Sequence, residues 1–336
     1  MAIASALFRC GFPYIKTLGM RRVTTGTVDV APGENGLVYI LGRSGFLVGI
    51  RILNWDDEDL GYIGSEGTND GQFQWPVKLI VDKNQNFIIL DEALNRITTM
   101  SSDGSFISKW GEYGCDEGQL NRPAGMALDK DDNLVIVDGF NHRVQKFTKE
   151  GKFLASWGQY GSEEGQFNTP WGIGIRDDGD IFISDWKNNR VQHFTEDGKF
   201  VKQFGLSGND KARLNRPAGV AIDEDGDVYV ADRNNHRVAI FDAQGRYVQE
   251  LLGDSQLMGM AKQYVRTNPV VLRLREMTQL DEQKRFRYPT SVTLSQGMLW
   301  VGDTGSHRVQ IYQKNAERLE DHELESPRNS PKMIIN

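Results

Sequence analysis

From Gly219 the chain alternates apolar and polar positions in short runs broken by turns: GVAID, the acidic turn DEDGD, VYVAD, HRVAIF, the turn DAQG, then RYVQELLG. Alternation over about five residues predicts a strand with one buried face, and four such runs joined by tight turns predict a four-stranded antiparallel unit. The same succession starts at Pro123 (PAGMALDKDDNLVIVDGFNHRVQKF) and at Pro170 (PWGIGIRDDGDIFISDWKNNRVQHF). Pro76, Pro123, Pro170 and Pro217 follow one another at steps of 47, as do Arg96, Arg143, Arg190 and Arg237. A further copy, residues 289–308, arrives 25 residues late. A degenerate copy comes first, with GTVDV from Gly26, the turn PGENG, LVYILG from Leu37, a third strand near 47–53 and LGYIG from Leu60.

A period of this length with four strands per copy predicts propeller blades rather than a helical solenoid. The expected fold is all-β: a six-bladed β-propeller of four-stranded antiparallel blades. Small residues in the first strand (Gly125, Ala127, Gly172, Gly174, Gly219, Ala221) place it nearest the axis, where the blades converge. The last copy lacks a fourth strand, and an orphan strand, YIKTLG from Tyr14, resembles FLASWG from Phe153. The N-terminal strand is therefore expected to close the last blade, which limits exposed sheet edges.

These expectations divide the chain into an N-terminal segment 1–13, a propeller 14–312 and a tail 313–336 with the charged composition of a disordered segment. The delay in the last copy marks an insertion at about 254–285, where Val270, Val271, Leu274 and Met277 recur at helical spacing. A helix packed on the propeller's face or rim is expected there, with a lid or a partner-docking helix as the alternative.

The copies carry NHRV at Asn141, NNRV at Asn188, NHRV at Asn235 and SHRV at Ser306. This phrase resembles the NHL repeat, over about residues 14–312. The resemblance implies a six-bladed propeller with a central channel, mostly used as a binding platform for proteins or, in some members, RNA. Related six-bladed propellers include peptidyl-amidoglycolate lyases and gluconolactonase-like hydrolases, so fold alone does not choose a function.

Composition narrows the choice. A net charge of −7 argues against a general nucleic-acid or anionic-membrane surface. No run approaches the ~18 consecutive apolar residues of a membrane span, and MAIASALFRC is a poor match to a signal peptide. Two cysteines, Cys10 and Cys115, lack motif partners, which fits a reducing compartment. A cytoplasmic protein is expected.

Residues that recur in every copy serve architecture first. His142, His236 and His307 share a position with Asn95 and Asn189, which points to a turn or hydrogen-bonding role rather than zinc ligation. The acidic turns at Asp129, Arg176 and Asp223 lack the helices and the twelfth-position Glu of an EF-hand loop and read as hairpins. Asp91/Arg96, Asp138/Arg143, Asp185/Arg190, Asp232/Arg237 and Asp303/Arg308 read as pairs pinning each blade's loop.

Positions where copies differ are the functional candidates. Trp171 follows Pro170 where the copies at Pro123 and Pro217 carry Ala and that at Pro289 carries Thr290. Phe140, Trp186 and Arg233 are assigned matching places after the loop aspartates, with Glu92 and Thr304 as the other two. Arg122 and Arg216 add positive charge just before Pro123 and Pro217. Phe140, Trp171, Trp186, Arg233, Arg122 and Arg216 read as a recognition surface around one channel mouth. The expected function is a non-catalytic scaffold recognising a protein or peptide partner. The alternatives are a hydrolase or lyase with a divalent ion, calcium or zinc, in the channel, and RNA binding. No cofactor is expected for the scaffold, and no catalytic motif is recognisable.

Overall fold

Neighbouring inner strands come so close at the axis that a Cβ on Gly172 would run into the carbonyl oxygen of Ala218, and one on Gly125 into that of Trp171. This approach organises the fold seen in a computed structural model, which describes residues 6–20, 23–44, 47–206, 211–257, 259–277 and 279–319. Blade 1 comprises Thr27–Pro32, Leu37–Ser44, Leu47–Asn54 and Asp59–Ile63. Blade 2 is Pro76–Val81, Phe87–Asp91, Arg96–Met100 and Phe106–Trp110; blade 3 is Pro123–Leu128, Leu134–Asp138, Arg143–Phe147 and Phe153–Trp157. Blade 4 is Pro170–Ile175, Ile181–Asp185, Arg190–Phe194 and Phe200–Phe204, and blade 5 is Pro217–Ile222, Val228–Asp232, Arg237–Phe241 and Tyr247–Leu251. Blade 6 joins Pro289–Ser295, Met298–Asp303 and Arg308–Gln313 to Tyr14–Leu18 from the other end of the chain. The alternation buries its apolar residues between blades, as in the cluster where Ile173, Ile181 and Ile183 meet Val135, Val137 and Val144.

The closing strand runs antiparallel to the third strand of blade 6, with Tyr14 opposite Tyr312 and Leu18 opposite Val309. Leu18 is fully buried. The start of the insertion lines this strand: Gln256 N–H donates to the Tyr14 hydroxyl at 3.2 Å, and the Thr17 hydroxyl donates to Ser255 Oγ at 3.0 Å. Three helices follow, Gly259–Thr267, Pro269–Glu276 and Leu280–Lys284. The expected packing of the aliphatic stripe on the propeller does not occur. Val270, Leu274 and Met277 are 68%, 59% and 75% exposed, because the insertion is anchored at its two ends and its middle helix buries no residue.

The tail also departs from expectation. Asn315–Leu319 is a strand paired with Ala6–Gly11, while residues 320–336 lie outside the described residues. Charge explains the order: Lys314 Nζ sits 2.7, 2.7 and 3.0 Å from Asp223, Asp225 and Asp227. Arg318 pairs with Asp225 at 2.7 Å, and Arg9 pairs with Asp227. Both chain ends are thus clasped to the acidic turn of blade 5. Within that turn Asp223 Oδ1 accepts the N–H groups of Asp225 and Asp227, and Gly226 has φ +82, in keeping with a hairpin.

The recurrent Asn/His position links blades. Asn95, His142, Asn189, His236 and His307 all adopt left-handed backbone, φ 52 to 57. Their side-chain acceptors take the N–H of Arg122, Thr169, Arg216, Tyr288 and Gly26 in the following blade, at 2.8, 3.0, 2.9, 3.1 and 2.9 Å. Asn Oδ1 and His Nδ1 reach the same donor, which explains why the two residue types interchange.

The loop pairs form in four blades: Arg143, Arg190, Arg237 and Arg308 lie 2.9, 2.8, 2.7 and 2.8 Å from Asp138, Asp185, Asp232 and Asp303. In blade 2 the expected Asp91–Arg96 bond is absent. Asp91 instead accepts the N–H groups of Gln74, Trp75, Ala93 and Leu94. Arg96 keeps only the bonds to loop carbonyls, of Thr68, Asn69 and Gln72, that Arg143 and Arg190 also make. Leu94 stands where Asn141, Asn188 and Asn235 bond their aspartates, so Asp91 has lost that partner.

Candidate functional site

The axial channel opens at two unlike ends. The end where the inner strands finish is a cavity of about 340 Å³ whose wall includes Pro32, Val81, Leu128, Ile222 and Leu294. At the other end a void of only about 40 Å³ lies beneath Arg43, Trp171, Thr290 and Ser291. Lys78, Met126, Ile173, Val220 and Val292 line both and form the waist between them. Lys78 is paired there with the buried Asp29 at 3.0 Å.

Three rings of non-equivalent residues make the narrow mouth. The residue preceding the inner strand is Trp75, Arg122, Thr169, Arg216 or Tyr288 in blades 2 to 6. The second residue of that strand is Val28, Val77, Ala124, Trp171, Ala218 or Thr290. The third ring follows the second-strand residue opposite the inner strand's first, and register identifies it as Arg43, Glu92, Gly139, Trp186, Arg233 and Thr304. Phe140 is corrected here: Gly139, not Phe140, occupies the place matching Trp186 and Arg233. Asp138 opposes Pro123 as Asp185 opposes Pro170, so the residue after each is equivalent. Phe140 stands one place further on, 54% exposed, and Gly139 is needed because a Cβ there would press on the Arg122 carbonyl.

The remaining five expected residues all belong to the rings, in three contact groups. Trp171 and Trp186 meet edge to face at 5.4 Å, and the Arg216 guanidinium lies over Trp186 at 4.5 Å. Arg233 lies over Tyr288 at 5.1 Å. On the opposite side Arg43 stacks over Trp75 at 4.9 Å, and Glu92 sits 3.7 Å from Arg43 and 3.4 Å from Arg122. The rings therefore hold four guanidinium groups against one carboxylate, on a chain whose net charge is −7.

Burial holds the Arg43 guanidinium below its ordinary range, with Arg233 adding repulsion, and it lowers Arg233 likewise. Burial pushes the Glu92 carboxyl up. Arg43 Nη1, Arg216 Nη1, Arg233 Nε and Trp186 Nε1 are buried and have no hydrogen-bond acceptor; Ser291 Oγ is likewise without a partner. An unmatched buried polar group costs about 1–3 kcal/mol, and this mouth gathers four of the unpartnered donors found among the described residues. Arg43, Trp75 and Tyr288 were not singled out from sequence. Aligning LVYILGR with FIILDE would have brought Arg43 onto the Glu92 position, but blade 1 has Gly42 in place of the marker aspartate.

No histidine of the NHRV phrase lines the channel voids, and Cys10 and Cys115 are free and exposed. Among the described residues no group of three or more His, Cys, Asp or Glu side chains is placed to hold a metal ion, and no helix is long and apolar enough to cross a membrane.

Six four-stranded sheets around a channel define a six-bladed β-propeller. The NHL repeat pattern matches residues 120–147, 167–194, 214–241 and 286–312, and the chain belongs to the NHL repeat family. Curated proteins gave no match. Solved structures share the fold at low identity. A catalytically inactive virginiamycin B lyase from Staphylococcus aureus, determined with quinupristin, is 15% identical with TM-score 0.56, covering 92% of this chain and 88% of its own. A streptogramin B lyase is 12% identical with TM-score 0.57, covering 94% and 100%. An auxiliary nutrient binding protein from Bacteroides ovatus is 13% identical with TM-score 0.55, covering 93% and 76%. Enzymes and a binding protein are thus built on the same frame.

Proposed function

We propose that this protein is a non-catalytic recognition module that works in the cytoplasm and uses the narrow channel mouth to bind a protein or peptide partner. The observation that carries this reading is the set of buried, acceptor-less donors on Arg43, Arg216, Arg233 and Trp186, gathered beside Trp171 and Tyr288. Aromatic and arginine side chains are the residues most enriched at binding hot spots. The void of about 40 Å³ has room for a few water-sized groups, since one water needs only about 10–15 Å³ of such space.

The rival reading is a lyase or hydrolase with a divalent metal in the channel, favoured only by shared fold with the streptogramin-type lyases. Elemental analysis of the purified full chain separates the two. The scaffold reading expects no stoichiometric metal; one zinc or calcium per chain overturns it.

A further inference from the structure

The mouth offers donors of one kind. Arg43 in blade 1 and Trp171 in blade 4, half a turn apart around the ring, close over the same small void. Arg43 Nη1, Arg216 Nη1, Arg233 Nε and Trp186 Nε1 all present N–H groups without acceptors. Each sits beside an aromatic ring or is part of one, so each is held in place rather than free to turn outward: Arg43 over Trp75, Arg216 over Trp186, Arg233 over Tyr288.

The only carboxylate in the rings does not satisfy them. Glu92 stands 3.7 Å from Arg43 Nη1 and 3.4 Å from Arg122 Nη1, longer than the roughly 2.7–2.9 Å of a charge-assisted hydrogen bond. Thr290 cannot supply an acceptor to them freely, because its hydroxyl is already bonded to the Val28 carbonyl at 2.9 Å and to Thr304 at 2.5 Å. What the site lacks is a small, planar, negatively charged acceptor.

We propose that the mouth is a carboxylate receptor: an acidic side chain or the C-terminal carboxylate of the bound peptide enters between Arg43, Arg216 and Arg233, with Trp171 and Trp186 beside it. This rests on the peptide-recognition reading above and names the group recognised. Guanidinium groups match carboxylates in planar, bidentate fashion, and Arg43 and Trp171 already line a small void at this mouth. The site selects for charge against the chain's own −7 background, so the recognised group must reach the arginines at close range.

The test titrates the full chain with four pools of N-acetylated hexapeptides: with or without Glu and Asp, each as free acid or C-terminal amide. Binding is followed by tryptophan fluorescence and calorimetry, with propionate and a single-stranded RNA oligomer as further probes. Binding is expected for every pool that carries a carboxylate, and the acidic amide and non-acidic free-acid pools tell the side chain from the terminus. Affinity should fall at least tenfold in Arg43→Gln and Arg233→Gln, with Arg43→Lys intermediate and melting checked for each variant. Equal binding of the carboxylate-free pool overturns the inference but leaves peptide recognition standing. Saturable propionate binding, lost in the Arg→Gln variants, without binding of any pool keeps the receptor and removes the peptide partner. RNA that displaces the peptides, or no binding by any probe, overturns it.

Discussion

His142 Nδ1 accepts the backbone N–H of Thr169 across a blade boundary at 3.0 Å, and the imidazole rests against Tyr160 at 4.9 Å. The recurrent histidines of this chain are thus acceptors in a chain of latches from blade to blade, a role that requires the neutral ring. Asn95 and Asn189 perform it without titrating.

A pH dependence follows. Burial lowers His142 below the ordinary 6.5, so on acidification the unfolded chain takes up the proton first. The latch's stability is fully present above about 6.5 and is lost as pH falls through the folded value. Urea midpoints measured at pH 7.5 and 5.5 should fall in the wild type and fall less in His142→Asn. His193, also lowered by burial, keeps some of the slope. His142→Ala should lose about 1–2 kcal/mol at pH 7.5.

Buried and exposed arginines should differ sharply. Arg190 is 2% exposed and bonded to Asp185 and to the carbonyls of Ser162, Glu163 and Gln166. Arg190→Ala strands a buried carboxylate and should cost about 3–5 kcal/mol. Arg122→Ala removes an exposed pair with Glu92 and should cost about 0–1 kcal/mol. Denaturant titration of the two variants checks the contrast.

Ring closure is testable by truncation. Removing residues 1–18 deletes the outer strand of blade 6 together with Arg9 of the terminal clasp. Thermal melting should drop by several degrees or more. The single change Leu18→Ala, at a fully buried site, should cost about 2–5 kcal/mol. An unchanged melt of the truncated chain contradicts the closure.

Much of this frame was legible in the sequence because repetition separates architecture from detail. Six blades, the inner strand, the acidic hairpins and the closing strand from Tyr14 all follow from spacing and alternation. Three things did not. Asp91 accepts the N–H groups of Ala93 and Leu94 rather than pairing with Arg96, which spacing does not reveal. The stripe at Val270, Leu274 and Met277 has core-like periodicity, yet periodicity does not say whether anything covers it. Phe140 was a miscount, since Gly139 follows Asp138 as Trp186 follows Asp185, and Gly42 in place of the marker aspartate hid Arg43; the register of strand pairs exposes both. Arg122, Trp171, Trp186, Arg216 and Arg233 were found because they are where the copies disagree.

The central claim is that the mouth recognises a peptide. Random-peptide display on the full chain, followed by calorimetric titration of enriched sequences against wild type and Trp186→Ala/Arg216→Gln, tests it most directly. One peptide per chain, bound by the wild type and at least tenfold weaker in the double variant while Phe140→Ala is unaffected, is the predicted result. Enriched peptides that bind the double variant as tightly as the wild type contradict it.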